Sequence, residues 1–313
     1  MARLTLVLAL LIAFLAGILF QRFLPVGSLL ERLGWRDRLP VERNVPAGES
    51  VTDLPDWDVS PTLRGRLMLF VLIGQSNMSG RGRTEDAQTP APHPRVFSFD
   101  KDFRWHPARE PLGTTVHDVD WVAIDGGTGV GPALAFARAL LEVAPNLSIG
   151  LVPCARGAST IAEWQRDLSQ NSLYGACLKR VRAAATYGEV AGVLMAQGES
   201  DADDPTVVAG RLLSAESWAD HFTWMVVALR QDLNLPDLPV LYTQLGHLPA
   251  GVSLPGWETV RQQQAQIILP NVIMVPTADL PLQTDFHFAT PAQVAIGQRL
   301  AQVYLDNFFK TSQ

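Results

Sequence analysis

Leu67-Met68-Leu69-Phe70-Val71-Leu72-Ile73-Gly74-Gln75-Ser76-Asn77-Met78-Ser79-Gly80-Arg81-Gly82 is the stretch from which the fold is read. Seven apolar residues run unbroken from Leu67 to Ile73. A strand buried on both faces of a parallel sheet has this pattern. The run stops at Gly74, and small polar residues lead on to Gly80-Arg81-Gly82. Ser76 thus falls just past the carboxyl end of a central strand, where open α/β sheets hold their ligands. A helix starting here would also aim exposed N–H groups at developing negative charge. An ordinary strand-to-loop turn, with Ser76 only a cap, fits the local pattern as well.

Further apolar strands follow, and they alternate with helices. Short strands are expected at residues 95–99 and 149–153, and longer ones at 190–196, 239–245 and 271–276. Between them, residues 133–143 read as a buried helix ended by Pro145, and 172–187 and 257–268 as two more. A long helix is expected where Val208, Leu212, Ala215, Trp218, Phe222, Met225 and Leu229 recur at steps of three and four. The final helix takes Thr290 as N-cap and Pro291 at its first position, with Val294, Gly297, Leu300 and Tyr304 on one face. No strand alternates with period two, so the pattern is that of a parallel sheet covered by helices on both faces. Residues 67–313 read as one domain without internal repeats.

The chain has 313 residues, 47% hydrophobic and 18% charged, with a formal net charge of −6. Length and composition fit one large α/β domain plus an extension. The acidic balance and the lack of a basic stripe argue against nucleic acid as a partner. Six scattered histidines without a His-Glu-x-x-His pattern argue against a metal enzyme. Cys154 and Cys177 have neither the number nor the spacing of a zinc site. Whether they form a disulfide in an exported domain or remain two inert thiols is open at this level.

Residues 4–20 carry no charge and follow Arg3. As a helix they would rise about 25 Å, near the lower limit for crossing a bilayer. The run ends in Gly17-Ile18-Leu19-Phe20-Gln21-Arg22, a poor cleavage site, and no cysteine offers a lipid attachment. Residues 1–25 are therefore expected to be an uncleaved transmembrane signal anchor, with the body periplasmic or extracellular; cleavage and secretion is the alternative. Arg22, Arg32, Arg36, Arg38 and Arg43 would hold the following segment in the cytoplasm, so orientation stays open. Residues 26–66, rich in Pro, Asp and Gly towards their end, read as a linker or strap.

Three expected strands end in short polar or glycine-rich turns, at Ser76, Gly157 and Gln197. In a parallel sheet these turns lie on one edge. A fourth element, Asp285-Phe286-His287, comes between the last strand and the last helix. An Asp two residues before a His can reach one imidazole nitrogen and leave the other free, the orienter-and-base half of a Ser-His-Asp arrangement. Each piece alone also reads as a plain surface turn.

Together they resemble a known family. Gly74–Gly82 is similar to the nucleophile block of the carbohydrate esterases of acetylxylan esterase and sialate O-acetylesterase type, within the SGNH hydrolases. The likeness continues through Glu110-Pro111-Leu112, Gly129-Val130-Gly131-Pro132, Phe136-Ala137, Cys154-Ala155-Arg156-Gly157, Trp164, Leu173-Tyr174, Gln197-Gly198-Glu199-Ser200-Asp201 and Asp285-x-His287. It covers about residues 67–305. The resemblance implies a flavodoxin-like three-layer α/β/α sandwich around a parallel sheet. It implies a serine esterase that removes O-acetyl groups from a carbohydrate and needs no cofactor. Ser76 resembles the nucleophile, His287 the base and Asp285 its orienter. The N–H groups of Ser76 and Gly157 and the side-chain amide of Gln197 resemble an oxyanion hole. Glu199 reads as a supporting group that holds Gln197 or the turn, with a direct catalytic part as the alternative. Relatives often have Gly-Gly-Thr where this chain has Gly157-Ala158-Ser159, so a side chain at 158 is expected to narrow the site or shift the backbone. A glycan-binding protein without activity, and a lipid or thioester hydrolase of the same fold, are the competing readings.

Overall fold

A computed structural model describes residues 64–113, 122, 128–203, 215–284 and 286–309. Every described residue belongs to one compact unit. The expected anchor, nearly all of the expected linker, Asp285, and Val208 and Leu212 of the expected long helix lie outside the described residues. Among the described residues, no helix is long and apolar enough to cross a membrane.

Seven strands form one sheet: β1 (Leu67–Gly74), β2 (Val96–Phe99), β3 (Trp105–Pro107), β4 (Ser148–Pro153), β5 (Gly188–Ala196), β6 (Val240–Thr243) and β7 (Val272–Val275). Their order is β3-β2-β4-β1-β5-β6-β7. All pairings are parallel except β2 with β3. The antiparallel edge strand corrects the expectation of a purely parallel sheet. Trp105-His106-Pro107 is too short to show a period, and Pro107 is tolerated because it sits on an edge. Leaving out the β2–β3 pair, the order β4-β1-β5-β6-β7 is the 2-1-3-4-5 order of flavodoxin-like sheets.

The eight residues of β1 are all buried, as their unbroken apolar run requires. Leu67, Leu69, Val71 and Ile73 enter one core cluster, and Met68, Phe70 and Leu72 the other. The first core is closed by helices Leu173–Ala184 (α3), Trp218–Leu233 (α4) and Trp257–Ala265 (α5), the second by Ala133–Val143 (α2) and Thr290–Asn307 (α6). A single turn of helix, α1 (Ser76–Ser79), follows β1 directly. Cys154 and Cys177 are joined by a disulfide, with their Cα atoms 5.4 Å apart. It links the end of β4 to α3 and settles the alternative left open above.

The start of the last helix differs from expectation by one residue. Ala289 is its N-cap, and Thr290 is already helical. Thr290 Oγ1 instead donates to Arg83 O at 2.9 Å, a tertiary partner that the local capping pattern does not reveal.

Candidate active site

β1 lies between β4 and β5, so the chain turns to opposite sides of the sheet around it. Ser76, Gly157 and Gln197 follow the carboxyl ends of these three neighbouring strands. The strands approach closely there because Gly74 has no side chain. Its φ is +129°, and a Cβ would stand 2.1 Å from Ala196 O. Gln75 N donates to Ala196 O at 2.9 Å, and Arg156 N to Gly74 O at 2.9 Å. The three turns are thus tied to each other through main-chain bonds.

His287 enters from the loop before α6. Its Nε2 is 3.0 Å from Ser76 Oγ, a hydrogen bond between residues 211 positions apart. Burial, and then the positive charge of Arg81, hold the imidazole below its ordinary pKa. His287 is therefore neutral at neutral pH, with a ring nitrogen able to accept a proton. Its Nδ1 meets no acceptor among the described residues. Asp285, expected as the orienter, is outside them.

Gln197 is buried and held at both ends. Its Oε1 accepts from Trp218 Nε1 at 2.6 Å, while its Nε2 donates to Asp201 Oδ2 and to Ser159 O at 3.2 Å. Asp201 also accepts from Ile161 N at 3.1 and 3.0 Å. In this geometry the Gln197 amide fastens the turn that carries Gly157. Ser159 adds to the tie, since its hydroxyl donates to Arg156 O at 2.9 Å and accepts from Trp164 Nε1 at 2.9 Å. Ala158 has φ +59° and is exposed. The left-handed backbone at a non-glycine residue costs on the order of 1 kcal/mol.

Glu199 is buried and accepts from Asn77 Nδ2 through Oε1, while Oε2 has no partner among the described residues. Burial pushes its carboxyl up to about 7. Its side-chain partner is Asn77, where the sequence suggests Gln197 or the turn. Asn77 and Asp201 both lie in motifs named above, but the partners of Asn77 and the Ile161 partner of Asp201 are 40 or more residues away, so these ties were invisible in the sequence.

A shallow cleft, open to solvent, lies beside α1 against Met78, Ser79, Pro153 and Ala155. Ser76 and His287 do not line it.

The family profile for "Carbohydrate esterase, sialic acid-specific acetylesterase" matches residues 66–306. The chain belongs to this family. It is a carboxylic ester hydrolase, and its family acts on acetylated carbohydrates. A probable carbohydrate esterase of Arabidopsis thaliana is 38% identical over 260 residues, 77% of this chain and 91% of that protein. A crystal structure of an Arabidopsis thaliana protein superposes with TM-score 0.65 at 35% identity, over 77% of this chain and 99% of that one. The structure of NanS follows with TM-score 0.59 at 22% identity, over 78% and 98% of the two chains. A carbohydrate acetylesterase from Xanthomonas citri has TM-score 0.55 at 21% identity, over 76% and 56%. The last two likenesses bear on the fold alone.

Proposed function

We propose that this carbohydrate esterase is an SGNH-type serine hydrolase that removes O-acetyl groups from a carbohydrate through an acetyl-Ser76 intermediate. The observation that carries this reading is the 3.0 Å contact between His287 Nε2 and Ser76 Oγ at the carboxyl edge of β1. Ser76 Oγ attacks the acetyl carbonyl carbon while its proton passes to His287 Nε2. The carbonyl oxygen becomes an oxyanion, stabilised by the main-chain N–H groups of Ser76 and Gly157. His287 returns the proton to the sugar oxygen as the C–O bond breaks. Water, deprotonated by His287, then attacks the acyl-serine carbonyl; the bond to Ser76 Oγ breaks, His287 returns the proton to Oγ, and acetate leaves. Asp285 holds the imidazolium that forms twice in the cycle, and Gln197 keeps the Gly157 turn in place. Each oxyanion donor typically contributes about 3 kcal/mol at the transition state.

Export of the body through the segment at residues 4–20, as an anchor or a cleaved leader, is part of the same proposal. The Cys154–Cys177 disulfide supports it, because such bonds persist in oxidising compartments.

The test is hydrolysis of p-nitrophenyl acetate by the full-length protein, with acetylated xylan and O-acetylated sialic acid as a second panel. Ser76→Ala and His287→Ala are each expected to lower turnover by 10³-fold or more, roughly as in other Ser-His sites. Turnover by Ser76→Ala close to wild type would refute the assignment.

A further inference from the structure

Asn77 follows Ser76 directly and is 2% exposed. Its side-chain amide has two donor hydrogens and a carbonyl with two lone pairs. All four positions are used. Nδ2 donates to Phe286 O at 2.9 Å and to Glu199 Oε1, while Oδ1 accepts from Phe288 N at 3.2 Å and from Gln293 Nε2 at 3.4 Å. The partners fix which end is nitrogen, since a reversed amide would set oxygen against two oxygens.

Two of these four partners are main-chain groups on either side of His287. The Asn77 amide therefore pairs with residues 286 and 288 as the main chain of an adjacent strand would. The hydrogen bonds of the His287 main chain itself are internal to the loop, from its N to Thr284 Oγ1 at 3.2 Å and from Gln283 N to its O at 2.8 Å. They shape the loop without setting its distance from Ser76.

We infer that Asn77 is a positioning residue for the reaction, clamping the His287 loop where Nε2 reaches Ser76 Oγ, and that Glu199 acts through it by fixing the amide's orientation. This rests on the Ser76–His287 reading given above. The nucleophile and the clamp for its base are consecutive residues, so one short turn sets both partners of the proton transfer. Glu199 is a hydrogen-bond acceptor in this arrangement and has no proton-transfer step of its own.

The test uses the full-length protein and two readouts, kcat with p-nitrophenyl acetate and the rate of Ser76 labelling by a fluorophosphonate. Asn77→Ala is expected to lower both by about 10²-fold, the cost of an ångström-scale misplacement, with KM little changed. Glu199→Ala is expected to lose about tenfold, the worth of one buried hydrogen bond. Glu199→Gln should recover most of that loss, because its amide oxygen accepts the same bond. The decisive arm is chemical rescue. In a His287→Ala background, added imidazole supplies the base from solution, and Asn77→Ala should then leave the rescued rate unaltered.

An equal loss of rescued rate would overturn the inference, because Asn77 would then be acting on Ser76 or on the fold. Wild-type kcat in Asn77→Ala would overturn it too, as would Glu199→Gln as inactive as Glu199→Ala. Should Asn77→Ala not fold, the two Glu199 variants carry the comparison on their own. Activity in the wild type that does not depend on His287 would instead defeat the underlying assignment of the base.

Discussion

The proposed reaction needs His287 as a neutral imidazole, and its surroundings favour that form. Burial and the nearby Arg81 both disfavour the imidazolium, so the folded pKa lies below the usual value of about 6.5. The base is lost as pH falls through this pKa, so the acid limb of kcat/KM for p-nitrophenyl acetate is expected below pH 6.5. Replacing Arg81 with Gln removes the second cause and should move that limb upward. A limb already above 6.5 in wild type would mean that an anionic partner dominates at His287. At this scale the sequence was partly legible. Ser76 and His287 stand out because a nucleophile after an apolar strand and a late Asp-x-His are local patterns. The setting of Gln197 was not legible, because Trp218 and Ser159 take up its amide from 21 and 38 positions away. Asn77 was hidden for the same reason.

Glu110, part of the Glu110-Pro111-Leu112 stretch of the family likeness, serves a helix end. Helix α2 has Pro132 as its N-cap, and no side chain of its own serves its first N–H groups. The Glu110 carboxyl reaches that end from the preceding loop, accepting from Gly131 N at 3.4 Å and interacting with the N–H groups of Leu112 and Leu134. The residue is partly exposed, yet its carboxyl is enclosed, and burial pushes it up to about 8. The folded state then holds a proton that the unfolded state releases near pH 4.3. Stability is therefore expected to fall as pH rises from about 4 to 8, by at most on the order of 5 kcal/mol from this group. Glu110→Gln keeps an accepting oxygen and should flatten that decline in urea unfolding measured across the range. An unchanged slope would show that the carboxyl is ionised in the fold. Element boundaries were legible where apolar runs were long, as in β1 and α2. β3 was not, because an edge strand of three residues buries too little to leave a period in the sequence.

Over the whole molecule, two cores share one sheet, and β1 supplies alternate residues to both. That arrangement was legible from the unbroken apolar strands, since a strand with one solvated face would alternate. The Cys154–Cys177 pairing was not, because two cysteines 23 residues apart state nothing about their distance in space. In the chain-entropy account this bond contributes about 3 kcal/mol by shortening the unfolded chain. Replacing both cysteines with Ala is expected to lower unfolding stability by roughly that amount, with the fold retained. An unchanged denaturation midpoint would show that the thiols are unpaired in solution.

The covalent step at Ser76 is the claim on which the account turns, and intermediate trapping tests it most directly. Wild-type protein mixed with excess p-nitrophenyl acetate would be quenched in acid during turnover, digested and read by mass spectrometry. The expected result is a single acetyl group on the peptide containing Ser76, absent from Ser76→Ala and accumulating when His287 is replaced only as far as slow acylation allows. Rapid acetate release by the wild type with Ser76 never acetylated, and sustained turnover in Ser76→Ala, would contradict it.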